Sequence, residues 1–161
     1  MTSPEQRWTD RLHLRRPVEA DLAQLAALER EPGSGPVPTA EQADATARGY
    51  LATWAADGMG CWVLEHRGRL VGVAGLRFMT FHLRDSWDLH YRVTRACWGR
   101  GYALEAVHEA LLVAQEHSAR LPVVARTPPG SPHAFALAER AGLVRRPDLD
   151  RDGLEVHVSH W

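Results

Sequence analysis

The chain of 161 residues contains no lysine, and all 19 of its basic residues are arginine. That absence excludes a Walker-type phosphate loop, whose lysine must reach the phosphates. It also excludes Schiff-base catalysis and a serine–lysine pair of the β-lactamase kind. Cysteine is scarce. Cys61 and Cys97 form no C-x-x-C pair, so zinc-ribbon and thioredoxin readings fail, and both read as small core residues. Most of the histidines are scattered, and His157 and His160 fall on opposite faces of a strand, so no metal site is expected. No apolar run reaches the roughly 18 residues of a membrane span. The opening M-T-S-P-E-Q-R-W is polar and lacks the apolar stretch of a signal peptide. Neither sign of charge is in excess, with 19 basic against 20 acidic residues, so there is no footprint for nucleic acid or an anionic membrane. The expectation is a cytoplasmic, reduced protein with neither nucleic acid nor membrane among its partners.

With 45% hydrophobic residues, the chain reads as a single domain over 1–161 with one core. Arg11 to Arg16 alternates around Leu12 and Leu14 and predicts a strand. After Pro17, Leu22, Leu25, Ala26 and Leu28 fall at helical spacing. The Pro- and Gly-rich stretch of 31–38 predicts a loop. Thr39 with Gln42 three residues on forms a capping-box pattern, opening a helix to about Asp57 that should bury Ala45, Tyr50, Leu51 and Trp54. Gly58 and Gly60 stop it. Strands are predicted over Cys61–Glu65 and Leu70–Met79, joined by a tight turn at H-R-G-R, and over Ser86–Val93. Tyr102 to about Ser118 is amphipathic, with Leu104, Val107, Leu111 and Ala114 on one stripe. A short strand, Pro122–Thr127, follows. Ser131-Pro132 starts the last helix, with serine as cap and proline at N1, and Gly142 ends it. Leu154, Val156 and Val158 then share one strand face. Three consecutive hairpin-linked strands indicate a mixed α/β (α+β) sheet with helices on both faces, and exclude a doubly wound one.

The chemistry concentrates in D-L-H-Y-R-V-T-R-A-C-W-G-R-G-Y-A-L-E-A, from Asp88 to Ala106. A strand runs through a glycine-bearing turn into an amphipathic helix. The first N–H groups of a helix lack internal partners and sit at the positive end of its dipole. Gly99 and Gly101 let the backbone approach an anion, and Arg100 adds charge, so the segment reads either as a phosphate cradle or as an ordinary tight turn. A dinucleotide site is disfavoured, because G-x-G-x-x-G is incomplete and no β-α-β-α-β series follows.

W-G-R-G-Y-A, from Trp98 to Ala103, closely resembles the acyl-CoA pyrophosphate motif R/Q-x-x-G-x-G/A of the GNAT N-acetyltransferases. Its tryptophan and the following L-E-A resemble the branch of the ribosomal-protein alanine acetyltransferases. R-L-H-L-R-R-P-V-E-A-D-L resembles the opening strand and helix of that branch, and A-L-A-E-R-A-G-L its last helix. The resemblance implies a sheet splayed after Val93, so that backbone groups of Tyr91, Arg92 and Val93 pair with the pantetheine amides of acetyl-CoA. It places the pyrophosphate on Gly99, Arg100, Gly101, Tyr102 and Ala103, beside Trp98, with the helix from Ser131 on the other flank. Two departures stand out. Ser131 replaces a common asparagine, and Ala138 falls where many relatives carry the tyrosine that protonates the departing thiolate.

Acetyl transfer to an amine needs a polarised carbonyl and a destination for a proton. Asp88 and His90 lie two apart on one strand face, just upstream of the cofactor turn, and are the candidate catalytic residues. Relatives often carry glutamate at the position matching Asp88, which makes it the leading base candidate. His133 is expected to be exposed. Asp148, Asp150 and Asp152 lie in a loop that reads as a solvated turn; in the family it resembles, this region often borders the acceptor site, where acidic residues would favour a cationic amine. The expected activity is transfer of an acetyl group to a primary amine, either a protein N-terminus or a small molecule. The competing expectation is a non-catalytic acyl-CoA-binding or regulatory domain on the same fold. The sequence names neither the acceptor nor the oligomeric state, and a homodimer is admitted.

Overall fold

The computed structural model describes residues 4–33 and 35–161. The first three residues of the polar N-terminal stretch, and Ser34 of the expected loop of 31–38, lie outside the described residues. In chain order the elements are β1 (Gln6–Trp8), β2 (His13–Arg15), α1 (Leu22–Glu29), α2 (Ala40–Asp57), β3 (Cys61–His66), β4 (Arg69–Phe81), β5 (Arg84–Val93), α3 (Tyr102–Ser118), β6 (Val123–Thr127), α4 (Pro132–Arg140), β7 (Val144–Arg145) and β8 (Glu155–Val158). The strands form one sheet in the order β1-β2-β3-β4-β5-β6-β8-β7. Every neighbouring pair is antiparallel except β5 and β6. A parallel pair needs a long crossover, and α3 supplies it.

Helices cover both faces, as the strand alternation dictates. Cys61 and Val63 of β3 pack with Leu25, Leu28, Ala47 and Tyr50 of α1 and α2. Trp62 and Leu64 turn the other way, onto Ala106, Val107 and Ala110 of α3. A strand covered on both faces reads as a continuous apolar run, which is how C-W-V-L appears in the sequence.

Local signals set the helix ends. The Gln42 N–H donates to Thr39 Oγ1 (3.2 Å) while the Thr39 N–H donates to Gln42 Oε1 (2.9 Å), closing the capping box of α2. Gly58 at φ 65° ends that helix. The helical phase that buries Tyr50 and Trp54 also buries Ala47 and Ala43, and it leaves Ala45 exposed, contrary to expectation. The buried stripe of α3 is shifted from expectation, with Ala106, Ala110 and Val113 joining Val107 and Ala114 while Leu104 and Leu111 are half-buried. Two features carry no clear local signal. Strand β1 is held by Arg7, whose guanidinium binds Glu109 and Glu116 of α3. The β4–β5 hairpin turns through His82 and Leu83 at φ 46° and 63°, with no glycine.

Candidate active site

Strand β5 pairs with β4 along its whole length, from Arg84 opposite Phe81 to Val93 opposite Gly72. With β6 it pairs only at Trp87 and Asp88. Beyond Asp88 the β6-facing edge of β5 is open, and the sheet is splayed there. The Trp87 N–H donates to the Pro122 carbonyl on the β6 side, and the Thr94 N–H donates to the Val71 carbonyl on the β4 side, each at 2.8 Å. Backbone polar groups alternate along a strand, so Leu89, Tyr91 and Val93 aim theirs into the gap. Arg92 departs from expectation. Its backbone serves β4, and its guanidinium donates to the carbonyls of Leu28 (3.0 Å) and Glu31 (2.7 Å) at the end of α1. The Val93 carbonyl already accepts from Trp98 Nε1–H at 2.8 Å, which leaves the Val93 N–H for the gap.

The turn after β5 leads straight into α3. Gly101, at φ 81°, occupies the left-handed N-cap, and Gly99 has φ 77°. A side chain at either position would be strained. The Glu105 N–H donates to the Gly101 carbonyl at 3.1 Å as the helix begins. The N–H groups of Tyr102, Ala103 and Leu104 precede that first internal bond, at the positive end of the helix dipole. Arg100 is exposed, and the half-exposed Trp98 ring lies under the Arg95 guanidinium at 5.5 Å. The Tyr102 ring is buried beneath Arg11 (4.7 Å) and beside His66 (5.1 Å), so its N–H alone is left to meet a ligand. Arg11 is a residue that sequence reasoning missed. It donates to the Arg100 carbonyl and to Glu105, each at 2.7 Å, and so braces the cradle from the β1–β2 turn. The Glu105 carboxyl is held below the usual range; burial opposes this, and hydrogen bonds from Thr9 and Arg11 outweigh it.

Across the gap, β6 leads into α4. Ser131 is its N-cap residue, but the hydroxyl makes no capping bond, in contrast to the expectation from Ser131-Pro132. His133 is exposed in the first turn. Ala138 is 2% exposed and packs in the core.

The two candidate catalytic residues stand on the sheet face that carries α1 and α2. Asp88 is only 6% exposed. Its Oδ2 accepts from Arg77 Nη2 at 2.7 Å, and its Oδ1 accepts from Arg126 Nε at 3.2 Å, with Arg126 Nη2 at 3.1 Å. Both oxygens accept from guanidinium groups, so Asp88 anchors two arginines. His90 is placed differently. Its Nε2 lies 2.9 Å from Tyr50 Oη, which donates to Glu29 Oε1 at 2.6 Å. Burial, reinforced by the nearby Arg77 charge, pushes the imidazole pKa down to about 4. His90 is therefore neutral near pH 7. Burial, then the charge of Glu29, holds the Tyr50 hydroxyl far above its ordinary range, so it stays protonated. Nothing in the local sequence joins Glu29, Tyr50 and His90; the packing of α1 on α2 over the sheet brings them together.

The acidic loop of 147–153 is laced with ion pairs. Asp148 pairs with Arg146 and Asp150 with Arg145, each at 2.6 Å, and Asp152 lies 3.9 Å from Arg151. The loop is internally neutralised and offers little to a cationic acceptor. Among the described residues, no three His, Cys, Asp or Glu side chains converge as a metal would require. Nor is any helix among them long and apolar enough to cross a membrane.

The mixed sheet is thus open beside the N-terminus of its crossover helix. The acetyltransferase (GNAT) domain family matches residues 11–144, and the chain belongs to that family. It is similar in structure to an acetyltransferase from Agrobacterium tumefaciens, with 24% identity, a TM-score of 0.85, and coverage of 97% of this chain and 94% of the other. It is similar also to a ribosomal-protein-alanine N-acetyltransferase from Brucella melitensis, with 21% identity, a TM-score of 0.67, and coverage of 90% and 96%. A third similar structure is RimL, a ribosomal L7/L12 alpha-N-protein acetyltransferase in complex with coenzyme A, with 15% identity, a TM-score of 0.68, and coverage of 93% of each chain.

Proposed function

We propose that this protein moves an acetyl group from acetyl-CoA to a primary amine by direct attack on the thioester. The observation that carries the proposal is the unpaired edge of β5 running into the free N-terminus of α3. Pantetheine amides would complete the strand at Tyr91 and Val93. The pyrophosphate would rest on the N–H groups from Gly99 to Ala103, where helix dipole and glycine backbone favour an anion. The thioester carbonyl would lie against an N–H in the gap, an oxyanion-type contact that strengthens as the carbonyl oxygen gains charge. Ser131 would flank the cofactor with its uncommitted hydroxyl.

The amine would approach on the sheet face that carries α1 and α2, where His90 stands. Nitrogen attacks the carbonyl carbon, the C–S bond breaks, and His90 takes the surplus amine proton. With Ala138 in the core, water supplies the proton to the departing thiolate. Arg77 and Arg126 share the single carboxylate of Asp88. The buried alanine at 138 and the committed Asp88 favour a second reading, a domain that binds acyl-CoA without turning it over. Release of CoA thiol, measured with a panel of amines, separates the two. Amine-dependent release supports the enzyme. Tight acetyl-CoA binding without release from any amine supports the second reading.

A further inference from the structure

The Tyr50 hydroxyl has one proton, and it points that proton at Glu29 Oε1, 2.6 Å away. Its 2.9 Å contact with His90 Nε2 therefore requires the imidazole to be the donor. The proton of a neutral imidazole then sits on Nε2, and the lone pair is left on Nδ1. Nδ1 makes no hydrogen bond to the described residues and is not among the side-chain atoms sealed from solvent without a partner. The chain of contacts joins three elements of the fold. Glu29 comes from the last turn of α1, Tyr50 from the middle of α2, and His90 from β5. Tyr50 is 4% exposed, so the link sits inside the packed layer and does not depend on a mobile surface contact. The other charges around the ring are Arg77 from β4 and Asp88 and Arg92 from β5. None of these hydrogen-bonds to His90, so the tautomer is set by Tyr50.

We propose that Glu29 and Tyr50 are positioning residues that lock His90 as the Nε2–H tautomer, presenting Nδ1 as the atom that accepts the proton of the attacking amine. The catalytic half of this inference rests on the acetyltransferase reading above; the tautomer half does not. In the step itself the nitrogen–carbon bond forms, the carbon–sulfur bond breaks, and the N–H proton passes to Nδ1. The imidazolium so formed donates from Nε2 to Tyr50, whose hydroxyl donates to Glu29. Proton release to water from Nδ1 then restores the neutral ring. An orienting partner behind a catalytic imidazole fixes both ring direction and tautomer, and its removal is felt as lost rate more than lost binding.

The test uses protein with 15N-labelled histidine. Long-range 15N–1H spectra at neutral pH report which ring nitrogen carries the proton, and His90→Gln assigns the signals. His90 is expected as Nε2–H in the native protein. In Tyr50→Phe, which keeps the buried ring, the pure tautomer should give way to a mixture. Its kcat for an accepted amine should fall about 10-fold with the acetyl-CoA KM unchanged. Glu29→Gln retains an acceptor oxygen for Tyr50 and should preserve the tautomer. An Nδ1–H tautomer in the native protein overturns the proposal, as does a Tyr50→Phe spectrum identical to the native one. A lost tautomer with unchanged kcat overturns the catalytic half. Absence of thiol release with every amine refutes the acetyltransferase reading, while the spectra still decide the tautomer.

Discussion

Acidification offers a direct probe of the His90 environment. The folded protein holds this imidazole at a pKa of about 4, against an ordinary value of 6.5. The unfolded chain therefore takes up the proton first as pH falls. Stability is at its full value above pH 6.5 and is lost progressively as the pH drops toward 4. A shift of this size is worth about 3 kcal/mol at most, and about 2 kcal/mol of that is expressed by pH 5. The ring keeps partial contact with water, which trims the expectation to about 1–2 kcal/mol. His157 is also held below its ordinary value by burial, so the total loss will be larger. Comparison with His90→Gln isolates the single residue, because the remaining groups titrate in both proteins. Urea unfolding at pH 8 and pH 5 gives the four stabilities needed. The native protein should lose about 1–2 kcal/mol more than His90→Gln over this interval. Equal losses in the two proteins would refute the buried, neutral assignment of His90.

Asp88→Asn would leave two partly exposed guanidinium groups without their carboxylate, at a cost of about 1–2 kcal/mol in urea unfolding. Because Asp88 is an anchor here, kcat should stay within roughly threefold of native once the variant is folded; a loss of a hundredfold would restore it as the base. Gly101→Asp places a non-glycine residue at φ 81°, at a cost of about 1–2 kcal/mol. Its Cβ would approach only the flexible end of Arg11, at 3.3 Å, so the fold should survive, while the new carboxylate repels the pyrophosphate. Acetyl-CoA affinity by calorimetry should fall at least about 10-fold, a penalty near 1.4 kcal/mol, and native affinity would show the cradle to be misplaced.

The legible parts of the chain are those whose causes are local. The capping box at Thr39 and Gln42, the left-handed Gly58 and the amphipathic run from Tyr102 place α2 and α3 within their observed bounds. The strand–glycine–helix passage around Trp98–Ala103 is likewise a short-range pattern, and it marked the turn that opens α3. What escaped depends on partners far apart in the chain. Arg11 braces Glu105 from 94 residues away. Asp88 reads as a free carboxylate until folding sets Arg77 and Arg126 upon it. Glu29 and Tyr50 show nothing in sequence to tie them to His90, because only the stacking of α1 and α2 on the sheet brings them there. The turn at His82 and Leu83 gave no signal for a related reason. Left-handed conformations usually call for glycine or asparagine, and here the strong β4–β5 pairing imposes them on ordinary residues.

The central claim is that the opened sheet edge and the α3 N-terminus form an acyl-CoA site, and ligand-dependent melting tests it without knowledge of the acceptor. At 100-fold excess over Kd a ligand specific to the folded state adds about 2.7 kcal/mol. For a domain of this size that is a rise of roughly 5–10 °C in the melting midpoint. Acetyl-CoA and free CoA should both produce it, since pantetheine and pyrophosphate supply most of the proposed contacts, while NAD and ATP should produce little. An unchanged midpoint with acetyl-CoA, or a larger rise with NAD, would contradict the account.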